Sequence, residues 1–121
     1  MPIKIKNKGA KVLSCHEMNN GQILNETKSQ YPLYTVILYG DKIDCTKFSK
    51  RISCAIKHLP LRVQFFFEYN TEKAINAGVR ISPTLIIDNQ ILIEGLTQAE
   101  NITEIFEQKF NLNQTQNPLN R

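Results

Sequence analysis

A chain of 121 residues, 41% hydrophobic and 21% charged, is sized for one domain around one buried core. No run approaches the roughly 20 apolar residues that a bilayer span needs, and the Lys-rich start, Met1 to Lys11, lacks the apolar stretch of a secretory signal. Three cysteines (Cys15, Cys45, Cys54) cannot all pair within the chain and match no zinc spacing, so the expectation is reduced thiols in a cytoplasmic setting, with no metal and no membrane.

The net charge of +4, from 15 basic and 11 acidic residues, is unevenly spread. Lys4, Lys6, Lys8 and Lys11 lie at one end, Lys47, Lys50, Arg51 and Lys57 form a second basic group, and Glu94, Glu100, Glu104 and Glu107 make the C-terminal segment acidic. Such asymmetry can mark an anionic partner, but it is also how solvated helix faces fall. No aromatic stacking pattern accompanies the basic groups, which argues against a nucleic-acid partner.

In chain order, residues 1–32 read as an N-terminal extension, with Val12 to Cys15 as an edge strand and Gln22 to Lys28 as a short helix. Cys15 and His16 are adjacent, so on a strand they point to opposite faces and do not form a nucleophile–base pair. Residues 33–110 form the core. Leu33 to Tyr39 is an almost unbroken β-branched and aromatic run, the pattern of a strand buried on both faces. Gly40 and Asp41 end it, and Asp44 is placed to cap a helix beginning at Cys45. Phe48, Ile52, Ala55, Ile56 and Leu59 recur along that helix at helical spacing, and Pro60 closes it. Cys54 lies half a turn out of phase with Cys45 and reads as a small buried or half-buried hydrophobe.

Arg62 to Tyr69 is a second strand with Val63, Phe65 and Phe67 on one face. Asn70 or Thr71 caps a short helix through Ala77, which Gly78 stops. Thr84 to Ile87 is a third strand, Asp88 to Gln90 a tight turn, and Ile91 to Ile93 the returning strand. After Gly95, Thr97 and Glu100 are spaced as a capping box for a last helix whose inward stripe is Ile102, Ile105, Phe106 and Phe110. Residues 111–121 are polar and aperiodic, the pattern of a disordered tail. A crossover unit feeding a hairpin predicts an α/β fold with a mixed four- or five-stranded sheet and helices on both faces.

The stretch Gly78 to Leu96 (GVRISPTLIIDNQILIEGL) resembles the thioredoxin superfamily, especially its small thioredoxin-like and glutaredoxin-like members. The resemblance implies that Pro83 follows a cis peptide bond and opens the third core strand, and that Gly95 leads into the last helix. It also implies a Cys-x-x-Cys site at the start of the first core helix. There the helix N-terminus would stabilise a thiolate and the second thiol would resolve the mixed disulfide.

Only one cysteine stands there, within Gly40 to Phe48, and it admits two registers. In one, Cys45 is the nucleophile and Phe48 replaces the resolving cysteine. In the other, Cys45 is at the resolving position and Lys42 replaces the nucleophile. The short loop after Gly40 and the apolar residues three, seven and fourteen positions after Cys45 favour the second. Both registers exclude dithiol exchange at this site.

Two functions follow from the resemblance. One is a protein- or peptide-binding module without a cofactor, using a groove beside the cis-proline. Ser82 and Pro83 would present backbone to an extended peptide there, and Tyr39, Asp41, Lys42 and Ile43 would line it. The other is a monothiol oxidoreductase in which Cys45 is catalytic and an outside thiol such as glutathione resolves the mixed disulfide.

Overall fold

The computed structural model of the chain describes residues 15–112. Five strands form one mixed sheet: β1 (Ile23–Leu24), β2 (Leu33–Tyr39), β3 (Arg62–Glu68), β4 (Thr84–Ile87) and β5 (Gln90–Glu94), in the order β1-β3-β2-β4-β5. Three helices join them: α1 (Lys42–Ile56), α2 (Thr71–Asn76) and α3 (Ala99–Lys109). Strands β2 and β3 are parallel, from Leu33 opposite Arg62 to Tyr39 opposite Glu68. A parallel pair needs a crossover, and α1 supplies it. The β2–β4, β4–β5 and β1–β3 pairs are antiparallel.

Register decides which side chains meet. Pairing Val36 with Phe65 across one ladder and with Ile87 across the other puts all three on the same face, and Leu38 shares that face with Leu85. All five are buried and join Phe48, Ile52, Ile102 and Phe106 in one core between the sheet and the α1/α3 pair. Thr103 ties the two helices by donating to the Ala55 carbonyl at 2.8 Å. Alternate β2 residues (Thr35, Ile37, Tyr39) face the other side, where the end of α2 adjoins them around a cavity of about 480 Å³.

The hairpin turn forms as the residues predict. Asp88 and Asn89 both take positive φ (53° and 62°), a region Asn and Asp tolerate better than other side chains. The α3 cap differs from the expectation. Gln98 is the N-cap and makes no side-chain cap bond, while the Thr97 hydroxyl turns back to donate to the Gly95 carbonyl at 2.9 Å.

Residues 22–28 are not helical. Gly21 donates to the Phe65 carbonyl at 2.6 Å and Phe65 donates to the Gln22 carbonyl at 2.9 Å, so this stretch runs as a sheet edge along β3. Asn25 then breaks it at φ 63°, with its amide donating to the Lys57 and Leu61 carbonyls at 3.0 and 3.1 Å. Pairing with β3 satisfies backbone groups that a short isolated helix would leave open at both ends. Cys15 lies outside any strand. The rest of the expected Val12 to Cys15 strand, and nearly all of the expected tail, lie outside the described residues.

The largest correction concerns the thiols. Cys15 and Cys54 are joined in a disulfide, with Cα atoms 5.0 Å apart, inside the range a disulfide spans. Met18 is buried in the core, and its N–H donates to the buried Ser49 hydroxyl at 3.0 Å. Residues 15–18 are thereby laid along α1, so Cys15 reaches Cys54 on the outward side. Cys54 is exposed rather than buried or half-buried, and Cys45 is the free cysteine.

Candidate functional site

The site lies where β2 and β3 end and α1 begins. In open α/β sheets the crevice beyond the carboxyl ends of parallel strands is the usual binding position. Helix α1 starts three residues earlier than expected. Asp41 is the N-cap, with extended backbone (φ −76°, ψ 154°), and its carboxylate accepts from the Asp44 N–H at 3.0 Å. Cys45 donates its N–H to the Asp41 carbonyl at 2.9 Å. Asp41 and Asp44 could each cap a helix by residue type. Asp41, with its extended backbone, takes the role; Asp44 lies within the first turn, and its carboxylate accepts from Ser82 instead.

Ser82 is the junction of the site. Its hydroxyl accepts from the Asp41 N–H at 2.9 Å and donates to the Asp44 carboxylate at 2.8 Å. The Ser82–Pro83 peptide is cis, and Pro83 is buried against the strand end. Gly40 completes the contact at φ +146°. A Cβ there would collide with the Ser82 hydroxyl and stand 3.1 Å from the Pro83 Cα, so only glycine permits this approach. Among the described residues the Ser82 backbone N–H and C=O have no hydrogen-bond partner.

Cys45 lies one turn into α1 and faces the core, fully buried against Phe48 and its neighbours. Burial first, then the carboxylates of Asp44 and Asp41, push its thiol pKa up to about 12. The helix N-terminus pulls the other way and loses. The hydroxyl of nearby Tyr69 is also pushed up, by burial first and by Cys45 second.

The structure brings Asp41, Ser82 and Gly40 together on one groove of about 340 Å³. Lys42 and Ile43 stand exposed beside it at the start of α1. Tyr39 does not join them. It faces away from the core, like Thr35 and Ile37, and lines the larger cavity beside Asn76 and Ala77 rather than the groove.

Sequence reasoning missed the opposite wall of the groove, formed by Tyr69, Ile75, Val79 and Ile81. Ile75 and Ile81 are 64% and 49% exposed, Tyr69 47%, and Ile43 on the α1 side 67%. A signal existed in the sequence: α2 must start beside the strand ends, and within it the positions at helical spacing from Ile75 are the polar Thr71 and Glu72, so Ile75 belongs to no inward apolar stripe. At the rim, Arg80 forms an ion pair with Glu94, its guanidinium 3.0 Å from both carboxylate oxygens. Among the described residues no helix is long and apolar enough to cross a membrane.

This arrangement, a parallel β2–β3 pair bridged by α1, an antiparallel hairpin entered through Pro83, and a closing helix packed beside α1, is a thioredoxin-like α/β fold. No family model matches the chain, and no curated relative matches it. Among solved structures, thioredoxin from Aeropyrum pernix is similar at 15% identity and a TM-score of 0.48, over 76% of this chain and 96% of that one.

Proposed function

We propose that the chain is a binding module that holds an extended protein or peptide segment in the groove beside Pro83, without thiol chemistry at that groove. One observation carries the reading: three exposed apolar side chains, Tyr69, Ile75 and Ile81, share a groove with a Ser82 backbone whose N–H and C=O are unpaired among the described residues, and a fourth, Ile43, is exposed at the start of α1. Ile43, Tyr69, Ile75 and Ile81 offer an apolar surface that solvent otherwise wets at a cost of roughly 25 cal/mol per Å². An extended segment would pair with Ser82 by strand addition and place alternate side chains against Tyr69, Ile75 and Ile81.

The geometry of α1 supports the register in which Lys42 occupies the nucleophile's position. The monothiol alternative needs an exposed thiolate at Cys45. With a pKa near 12, roughly one thiol in 10⁵ is ionised at neutral pH, and the sulfur has no exposed surface. Glutathione therefore has no role at Cys45 in this reading. The cytoplasmic placement rested on the lack of a bilayer span and of a secretory apolar stretch; the Cys15–Cys54 bond overturns the separate expectation of reduced thiols and argues for an oxidising setting.

The test is an array of synthetic extended peptides, with affinities of any binders measured by fluorescence anisotropy. Binders with alternating apolar residues, weakened about tenfold or more by Ile75→Glu or Ile81→Glu, are the expected result. Retention of no peptide, or binding indifferent to both substitutions, would sink the reading.

A further inference from the structure

A second candidate site lies on the outward face of α1, away from the groove. Lys47, Lys50, Arg51 and Cys54 fall at helical spacing and line one cavity of about 300 Å³, with Ala99 at the start of α3 closing its side. Lys50 and Arg51 precede Cys54 by four and three residues, and Lys47 by seven, so all share its face. The small Ala99 leaves the space open. Arg51 is held in place by donating to the Thr97 carbonyl at 3.3 Å. Lys47 and Lys50 form no ion pair among the described residues. Both side chains are exposed, so an incoming anion can reach them.

Cys54, an exposed residue bonded to Cys15, is part of this basic lining. We propose that Cys15–Cys54 is a thiol-exchange site for small anionic thiols, with the Lys47, Lys50 and Arg51 cavity holding the carboxylates of the incoming molecule. The thiolate attacks the Sγ of Cys54, the more exposed of the two residues and the one that lines the cavity. A new S–S bond forms between Cys54 and the incoming thiol, the Cys15–Cys54 bond breaks, and Cys15 leaves as a thiolate that takes a proton from water. One disulfide is lost and one is made, so no outside oxidant or reductant is needed. The reverse attack by Cys15 on the mixed disulfide expels the small thiol and restores the bond.

Charge is what this site adds to ordinary exchange. Cationic side chains beside a sulfur favour the approach of an anionic nucleophile and stabilise the charge it carries in the transition state. The side chain delivered to Cys54 then lies among the three cations. The groove beside Pro83 takes no part, so failure of this proposal leaves the peptide-binding reading untouched.

The experiment incubates the oxidised protein, its Cys15–Cys54 bond verified by peptide mapping, with reduced glutathione and separately with glutathione diethyl ester, whose carboxylates are masked. Mass spectrometry locates the adduct and stopped-flow quench gives rates per thiolate. The adduct is expected on Cys54, with glutathione reacting about fivefold faster than the ester at low salt and the gap closing near 1 M salt. The paired substitution Lys47→Gln with Lys50→Gln should remove most of the gap without slowing the ester. These are exposed side chains, and circular dichroism verifies that the variant folds. Four outcomes would overturn the proposal: an unpaired Cys15 and Cys54 in the purified protein, an adduct on Cys15, equal rates for the two thiols, or a gap that survives the double substitution.

Discussion

Cys45 and Cys54 sit on one helix, nine residues and half a turn apart, and they have opposite chemistry. Cys45 is at the helix end expected to activate a thiol, yet it is buried, close to two carboxylates, and protonated. Cys54 is near the other end of α1, yet it is exposed, disulfide-bonded and flanked by cations. The helix face, more than the distance from the N-terminus, decides what each sulfur can do. A partial charge at the helix end contributes about 0.3–1 kcal/mol, whereas taking a thiolate out of water and placing it beside carboxylates costs several times more.

The sharpest way to break this contrast is to remove the outer bond. Cys54→Ser opens a loop with a sequence separation of 39, and chain entropy assigns such a closure about 4 kcal/mol. Urea unfolding should show a loss of about that size, with peptide binding at the groove retained. A change under about 1 kcal/mol would mean that residues 15–18 are held by Met18 and Ser49 rather than by the disulfide.

At the inner end, Gly40→Ala is expected to cost about 3 kcal/mol, from the left-handed φ and the collision with Ser82. The same substitution at Gly78, where a Cβ meets nothing within 4 Å, should cost about 1 kcal/mol, from φ alone. Equal losses would remove the close approach of Gly40 to the Pro83 loop as a requirement of the site.

Cys45→Ala sharpens the contrast through pH. The native thiol pKa is raised from 9.0 to about 12. Below pH 9 both folded and unfolded chains hold the proton, and stability does not depend on it. Between pH 9 and 12 the unfolded chain releases the proton first, so the wild type loses stability as pH rises, at up to about 1.4 kcal/mol per unit. Cys45→Ala should be about 1 kcal/mol less stable at pH 7 from the vacated volume and should close that gap, or reverse it, by pH 10 to 11. Parallel stability curves for the two proteins would place the Cys45 thiol in contact with water.

The smallest effect is expected from Ser82→Ala. It deletes the bonds to the Asp41 N–H and the Asp44 carboxylate, both at an exposed position, for about 1 kcal/mol. Thermal unfolding measures it, and a gain in stability would show that the Ser82 hydroxyl is held against its own preference.

Local chemistry made much of the fold legible. Leu33 to Tyr39 reads as a strand from its β-branched run, Asp88 and Asn89 as a turn from their tolerance of positive φ, and the Ile102 and Phe106 stripe as an inward helix face. Each signal lies within a few residues, so it survives without knowledge of the rest of the chain. Two aspartates could each cap α1 by residue type, and the cap falls at Asp41, three residues before the one expected, while Asp44 meets a serine 38 residues further on. Residues 22–28 looked helical in isolation, but 22–24 became a sheet edge because β3 offered unpaired backbone, and 25–28 became a turn.

Pairing and exposure belong to the tertiary structure. The sequence alone determined that one cysteine would stand near the start of the first core helix and that a proline-entered hairpin would face it. Only the folded chain decided that Cys45 points inward between Asp41, Asp44 and the core, that Tyr39 lines a separate cavity while Ile75 and Ile81 wall the groove, and that Cys15 reaches Cys54. Those outcomes depend on which distant surfaces meet, and a contact between segments tens of residues apart has no local signature. Its free energy exists only once sheet register and helix packing have brought the two segments together.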